Sequence, residues 1–250
     1  GMCLITGPTG SGKSTTLYSA LSRINDPTKN ISTIEDPVEY NLSGINQVTA
    51  RPDIGLDFAA GLRSFLRQDP DIIMVGEVRD AETASIAIKA ALTGHLVLST
   101  LHTNDAPSTV QRLVNMGMEN FLITASLLMV QAQRLARRIC KHCRVEYTPD
   151  ESEIRLLGFK EGEIDSDTVF YRGRGCEICR QSGYKGRLGL YEVMLMDDRL
   201  RDAIMDGIST NQFKKLTIEQ GMESMRVAAR QKVRQGATTT SQAVELTMED

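Results

Sequence analysis

The chain opens on an apolar triplet, Cys3-Leu4-Ile5, which reads as a short buried strand. Beyond a cluster of glycines and hydroxyls, Leu17, Leu21 and Ile24 recur at spacings of four and three, one face of a helix. Asn25-Asp26-Pro27 ends it. Ile31-Ser-Thr-Ile34 predicts a second strand, closing on Glu35-Asp36-Pro37, and Phe58, Leu62, Phe65 and Leu66 mark another helix face. Ile72-Ile-Met-Val75 is the continuous apolar run of a strand buried on both sides. Asp80 suits an N-cap for a helix running to Leu92 and ending near Gly94. Leu96-Val-Leu98 is a further buried strand, leading into Ser99-Thr100-Leu101-His102-Thr103. Strand and helix patterns in alternation predict an α/β fold, a parallel sheet covered by helices.

The pattern changes after Ala136. Residues 140–190 hold four cysteines and seven glycines, and helical periodicity is weak. It returns from Asp198 around Leu200, Ile204, Phe213, Leu216, Met225 and Val233, with Gly236 to Ser241 as a loop before a last short helix. The expected organisation is therefore a core over residues 1–136, a cysteine-bearing subdomain over 137–192 and a helical subdomain over 193–250.

What separates the first strand from the first helix is Gly7-Pro8-Thr9-Gly10-Ser11-Gly12-Lys13-Ser14-Thr15, which satisfies G-x-x-x-x-G-K-[ST] at every fixed position. Glycines let backbone N–H groups converge on an anion, and the helix N-terminus adds its dipole. Lys13 is placed to reach the outer phosphates of ATP, and the Ser14 hydroxyl to ligate Mg²⁺.

An ATP site also needs acids near the γ-phosphate. Two strand tips supply them: Thr33-Ile-Glu35-Asp36-Pro-Val-Glu39, and Asp71-Ile-Ile-Met-Val-Gly-Glu77 in the manner of a Walker B element. A carboxylate at either tip can hold Mg²⁺ or its water, or orient the attacking water. His102, beyond the third buried strand, can sense the γ-phosphate, bond an acidic tip, or simply end a strand. Cys140-x-x-Cys143 and Cys176-x-x-Cys179, with 32 residues between the pairs, offer four thiolates to a structural Zn²⁺. His142 lies inside the first pair but is not needed as a fifth ligand, and Cys3 reads as strand packing. Arg134, Arg137, Arg138, Lys141 and Arg144 form a local basic cluster, read as a solvated helix face.

Composition narrows the partners. The 250 residues are 41% hydrophobic and 24% charged, as in a soluble globular protein. A net charge of −3, no Trp and 5% aromatic residues provide neither a basic field nor stacking platforms for nucleic acid. No apolar run reaches the roughly 18–20 residues of a membrane span. Without an export signal, the five cysteines are expected as thiols or metal ligands. The abrupt start on a nucleotide-fold strand suggests a piece whose upstream part is missing.

These motifs together resemble the secretion ATPase superfamily that powers type II secretion and type IV pili. Gly7 to Ser14 matches its Walker A loop, and Thr33 to Glu39 its Asp box. Arg67-Gln-Asp-Pro-Asp-Ile-Ile-Met-Val-Gly-Glu77-Val-Arg79-Asp80 is similar to its Walker B, and Gly94 to Asp105, containing His102, to its His box. Gly175 to Glu192 is similar to the tetracysteine region of the pilus-extension and secretion branches, which retraction motors typically lack; Asn41 to Val48 leans towards the extension branch. The resemblance implies a RecA-like P-loop core, a homohexameric ring in the full-length protein and ATP hydrolysis coupled to assembly of pilin or pseudopilin subunits. It also implies cytoplasmic placement, peripheral to the inner membrane through a pilus or secretion platform protein. Glu77 takes the Walker B position, Glu35 the Asp-box position and His102 the His-box position; which glutamate orients the water stays open. Arginine fingers and membrane-partner modules of the family usually lie upstream, so slow hydrolysis is expected of this segment alone. Rival readings are a secretion-branch motor, a zinc-ribbon ATPase that translocates nucleic acid through Arg134 to Arg144, and a nucleotide-binding subunit without turnover.

Overall fold

A computed structural model describes residues 1–159, 162–164 and 168–248. The chain runs β1 (Met2–Thr6), α1 (Lys13–Ile24), β2 (Ile31–Glu35), β3 (Asn46–Thr49), α2 (Phe58–Phe65), β4 (Ile72–Val75), α3 (Ala81–Leu92), β5 (Leu96–Leu101), α4 (Pro107–Asn115) and α5 (Asn120–Ser126). It continues through β6 (Leu127–Ile139), β7 (Arg144–Tyr147), α6 (Glu151–Leu157), β8 (Phe170–Gly173), β9 (Tyr184–Leu195), α7 (Asp198–Met205), α8 (Thr210–Glu219), α9 (Met225–Arg234) and α10 (Thr240–Thr247). Two compact units result. The first holds residues 1–132 and 193–222, the second 133–192 and 223–250. The C-terminal helices are thus divided, α7 and α8 to the first unit, α9 and α10 to the second.

The main sheet has the order β3-β2-β4-β5-β1-β6-β9, and β1 pairs in parallel with both β5 and β6. The β2–β3, β2–β4 and β4–β5 pairs are parallel too. Alternation along a strand sends successive side chains to opposite faces. Ile5, Ile31, Ile72, Met74 and Leu98 form one buried cluster with Leu17, Tyr18 and Leu21 of α1. Ile34, of opposite parity, meets α2, where a Cβ on Gly61 would come within 2.2 Å of its Cδ1. The parity that seats Ile31 against α1 also carries Thr33 and Glu35 to the α1 side. The hydrophobic pattern does not predict β3: Asn-Gln-Val-Thr is polar and half-exposed, as an edge strand tolerates, and it lacks the apolar run of the central strands.

In the second unit, β7 and β8 pair antiparallel, from Arg144 opposite Gly173 to Tyr147 opposite Phe170. The basic cluster lies on strand and loop rather than on a helix face. Residues 127–139 form β6, in which Val130, Ala132, Arg134 and Ala136 are buried at every second position, a strand's period. Arg134 is buried and donates to the Leu246 carbonyl; Arg137 bonds Gln242 and stacks 4.3 Å from the Tyr184 ring centroid. Arg144 stacks on Tyr171 at 3.5 Å. Arg134 is buried, whereas Arg137, Arg138, Lys141 and Arg144 are exposed, Arg137 and Arg144 resting on tyrosine rings.

Candidate functional site

β1 ends at Thr6 and α1 begins at Lys13, so the glycine loop bridges sheet and helix directly. Gly12 is the N-cap at φ 90°, a left-handed conformation that a side chain would resist, and no side chain caps the helix there. By contrast Asp57 and Asp80 cap α2 and α3 through the N–H groups of Ala60 and Thr83. The α1 N-terminus also has no acid in its first turn. Its orphan N–H groups and dipole are left to an anion. Pro8, Thr9, Gly10, Ser14 and Thr15 are exposed, Gly7 and Ser11 are buried, and Gly12 and Lys13 lie between. The Lys13 ammonium donates to the carbonyls of Gly7 (2.8 Å) and Pro8 (3.1 Å). Burial lowers its pKa, and the nearby charge of Glu77 opposes that shift.

Glu77 follows β4 through Gly76, where a Cβ would stand 3.3 Å from the Glu35 Cα. Glycine therefore lets the two acidic tips pass close together. One Glu77 oxygen accepts from His102 Nε2 at 3.1 Å, and the other pairs with Arg79 Nε. Arg79 also reaches Asp36 at 3.4 Å and lies 5.6 Å from the Phe58 ring centroid. Glu77, His102 and Arg79 thus meet, and the Glu77 charge acts on the loop lysine. Arg63 is drawn to Glu82 instead.

Glu35 sits in different surroundings. It is 4% exposed, and both carboxylate oxygens accept hydrogen bonds: Oε2 from Tyr18, Oε1 from Thr33 and from Gln47 Nε2 at 3.2 Å. Tyr18 and Gln47 escape a reading of the sequence alone. The α1 apolar face accounts for Leu17 and Leu21, and Tyr18 passes as one more core residue beside them. Gln47 lies on β3, which has no strand signal. A phenol on the helix that follows a phosphate loop is the available clue.

The thiols of Cys140, Cys143, Cys176 and Cys179 lie within 4.8 Å of one another, brought together although 32 residues separate the pairs. Sulfur separations are 3.9 Å for Cys140–Cys176, 3.8 Å for Cys143–Cys179 and 3.6 Å for Cys176–Cys179. Four sulfurs around one ion at about 2.3 Å in a tetrahedron stand roughly 3.8 Å apart, so the set fits that geometry. Desolvation acts first on Cys179 and raises its pKa, but N–H donation from Cys176 and Gly183 outweighs it and brings the thiol to about 6. His142 is exposed and outside the cluster, and His95 bonds the Ala90 carbonyl at the end of α3.

A parallel sheet whose first strand feeds a glycine loop and an uncapped helix defines the P-loop α/β class of nucleotide-binding proteins. Within it, the chain belongs to the type II/IV secretion system protein family, whose family model matches residues 1–245. It is 55% identical over 251 residues to the type IV pilus assembly ATPase PilB of Myxococcus xanthus, covering 100% of this chain and 44% of that protein. It is 48% identical over 250 residues to the type II secretion system protein E of Pseudomonas aeruginosa, covering 100% of this chain and 49% of that protein. The crystal structure of the pilus retraction motor PilT with bound ADP superposes with a TM-score of 0.73 at 32% identity, over 100% of this chain and 62% of that one. The chain thus spans less than half the length of these two curated relatives. Among the described residues no helix is long and apolar enough to cross a membrane.

Proposed function

We propose that this segment is the ATP-hydrolysing motor of a type IV pilus assembly ATPase. The observation that carries the reading is the Glu77–His102 pair whose charge acts on Lys13 of an uncapped phosphate loop, in a chain 55% identical to a pilus assembly ATPase. In this reading Gly7 to Thr15 hold the ATP phosphates, Lys13 neutralises the outer ones and Ser14 ligates Mg²⁺. Mg²⁺, when bound, would supply charge neutralisation for the phosphates. Glu77 and Glu35 serve the Mg²⁺ and water side of the γ-phosphate. Glu77 is the better placed to orient the attacking water, because its side chain keeps 17% exposure and its charge acts on the loop cation, while Glu35 is 4% exposed. His102 steadies Glu77 through the 3.1 Å contact.

Cys140, Cys143, Cys176 and Cys179 would hold a structural Zn²⁺, leaving it no open ligand position for substrate. Functionally, residues 1–136 carry the nucleotide chemistry and 137–192 the metal. The full-length protein acts as a cytoplasmic homohexamer at the inner membrane, held there by a platform protein and without nucleic acid. A type II secretion motor is the second reading, supported by the 48% identity to a secretion protein E. The test of the chemistry is Glu77→Gln. It removes the negative charge but keeps the size, so MgATP binding is expected to persist while turnover falls by about 10²-fold or more. Turnover within twofold of wild type overturns the assignment of Glu77.

A further inference from the structure

A buried carboxylate needs donors, and Glu35 has three: the Tyr18 hydroxyl, the Thr33 hydroxyl and the Gln47 amide. Thr33 shares its strand. Tyr18 and Gln47 come from elsewhere, α1 and the edge strand β3, and they also contact each other, Gln47 Nε2 lying 3.4 Å from the Tyr18 oxygen. The Tyr18 oxygen accepts from the Glu39 N–H at 3.1 Å as well. A phenol has one proton to give. With backbone and amide N–H groups on its acceptor side, that proton is directed to Glu35. Burial, then the bond to Glu35, pushes the Tyr18 pKa up to about 12, so the hydroxyl remains a donor throughout the neutral range.

The position of Tyr18 on α1 gives the contact its meaning. Ser14 and Tyr18 stand one helical turn apart, on neighbouring positions of one face. The same rigid turn therefore carries the hydroxyl assigned to Mg²⁺ and the hydroxyl that grips Glu35. Gln47 is itself fixed, accepting from the Leu42 N–H at 2.6 Å and donating to the Tyr40 carbonyl at 3.3 Å. The Tyr40 ring packs edge-on against Tyr18 with centroids 4.6 Å apart.

We propose that Tyr18, with Gln47, is a positioning residue of the ATPase site: it locks the Glu35 carboxylate in register with the phosphate-loop helix, so that loop and acid act as one rigid body on the Mg²⁺ and water side of ATP. This rests on the reading of Glu35 as an acid of that site. Neither side chain touches nucleotide in this role; both act through Glu35.

The test is a double-mutant cycle on steady-state ATP turnover of the 250-residue chain, with MgATP affinity measured in parallel. Tyr18→Phe keeps the ring and its packing and deletes one hydroxyl. It is expected to lower kcat about tenfold, the effect of losing one hydrogen bond to a charged group, with affinity within twofold. In a Glu35→Gln background, itself expected to be strongly impaired, Tyr18→Phe should change kcat less than twofold, because its target has gone. A purely structural role predicts the same fold loss in both backgrounds, and that result overturns the proposal. Wild-type kcat for Tyr18→Phe overturns it too. If Glu35→Gln itself turns over like wild type, the assignment of Glu35 fails and the proposal with it, an outcome distinct from a normal Tyr18→Phe beside an impaired Glu35→Gln. Should Tyr18→Phe fold poorly, Gln47→Leu on the half-exposed edge strand carries the same cycle: loss of kcat that vanishes with Glu35→Gln supports the clamp, and equal loss in both backgrounds refutes it.

Discussion

The nucleotide site and the four-cysteine cluster are built by opposite means. The proposed nucleotide site gathers single residues from several elements: the loop after β1, Glu35 at the end of β2, Glu77 after β4 and His102 after β5. Each tip is placed by parallel register, and the close pass of Gly76 under Glu35 needs a glycine. The cysteine cluster draws on two short hooks. The Cys140 N–H bonds the Gly183 carbonyl, and Cβ atoms on Gly173 and Gly183 would each collide with the other's backbone. One site thus inherits its geometry from the main sheet. The other packs four thiols against one another with backbone N–H groups of its own hooks as donors.

That contrast predicts unequal sensitivity. Replacing Cys176 and Cys179 together by Ser should reduce bound zinc from about one per chain to none by elemental analysis. Structural zinc sites bind with about 10–16 kcal/mol of apparent free energy, so this is the largest perturbation available. Residues 140–190 are expected to become protease-sensitive, while MgATP affinity stays within about twofold. A metal-free wild type with a protected 140–190 segment breaks the comparison from the metal side. A large loss of nucleotide affinity in the cysteine variant breaks it from the other.

Lys13→Ala addresses the distributed site. Its ammonium is the side-chain cation inside the loop, already held by two loop carbonyls. Charge-assisted contacts to phosphate are worth about 1.5–3 kcal/mol each, so affinity for ATP should fall by roughly 10². Zinc content should be unchanged. Titration of a fluorescent ATP analogue reads the effect, and equal affinities remove Lys13 from the site.

Motifs reveal what is contiguous. The phosphate loop, the acidic strand tips and the paired cysteines are legible because each lies within a few residues of a recognisable strand or spacing. Four thiols separated by 32 residues converge as their spacing implies. The setting of each group is not legible. That Glu35 is buried among Tyr18, Thr33 and Gln47 while Glu77 meets His102 and Arg79 nearer the surface depends on strand parity and on Gln47 from β3, whose polar sequence carries no strand signal. The basic cluster misleads because arginines near helix-like spacing also suit a strand when small apolar residues alternate with them. Periodicity finds α7 to α10 but does not assign them to compact units, since an apolar stripe does not name the surface it covers.

A smaller effect concerns how α8 is tied to the loop after β5. Lys214 on α8 donates to Asp105 at 3.0 Å, and both side chains are largely buried. Asp105 also accepts from the Ser108 N–H at 2.8 Å at the start of α4. Three residues earlier, His102 contacts Glu77, so the pair braces the segment that carries the histidine. Burial alone raises the Asp105 pKa, but the Ser108 bonds and Lys214 outweigh it, and the net shift is downward from 3.8. A carboxylate whose folded pKa is depressed contributes stability that is fully present above its unfolded pKa near 4 and is lost as pH falls through the lower folded value. Lys214→Met keeps the length of the side chain and removes the charge. It is expected to cost about 1.5–3 kcal/mol at pH 7, the range for a hydrogen bond to a charged partner. The gap between wild type and variant should narrow as pH drops below about 4, where Asp105 protonates in both, and hold constant from about pH 5 to 8. Urea unfolding at a series of pH values measures it. A gap that does not shrink in acid shows that Lys214 contributes by packing, and the brace on the His102 segment is then apolar rather than electrostatic.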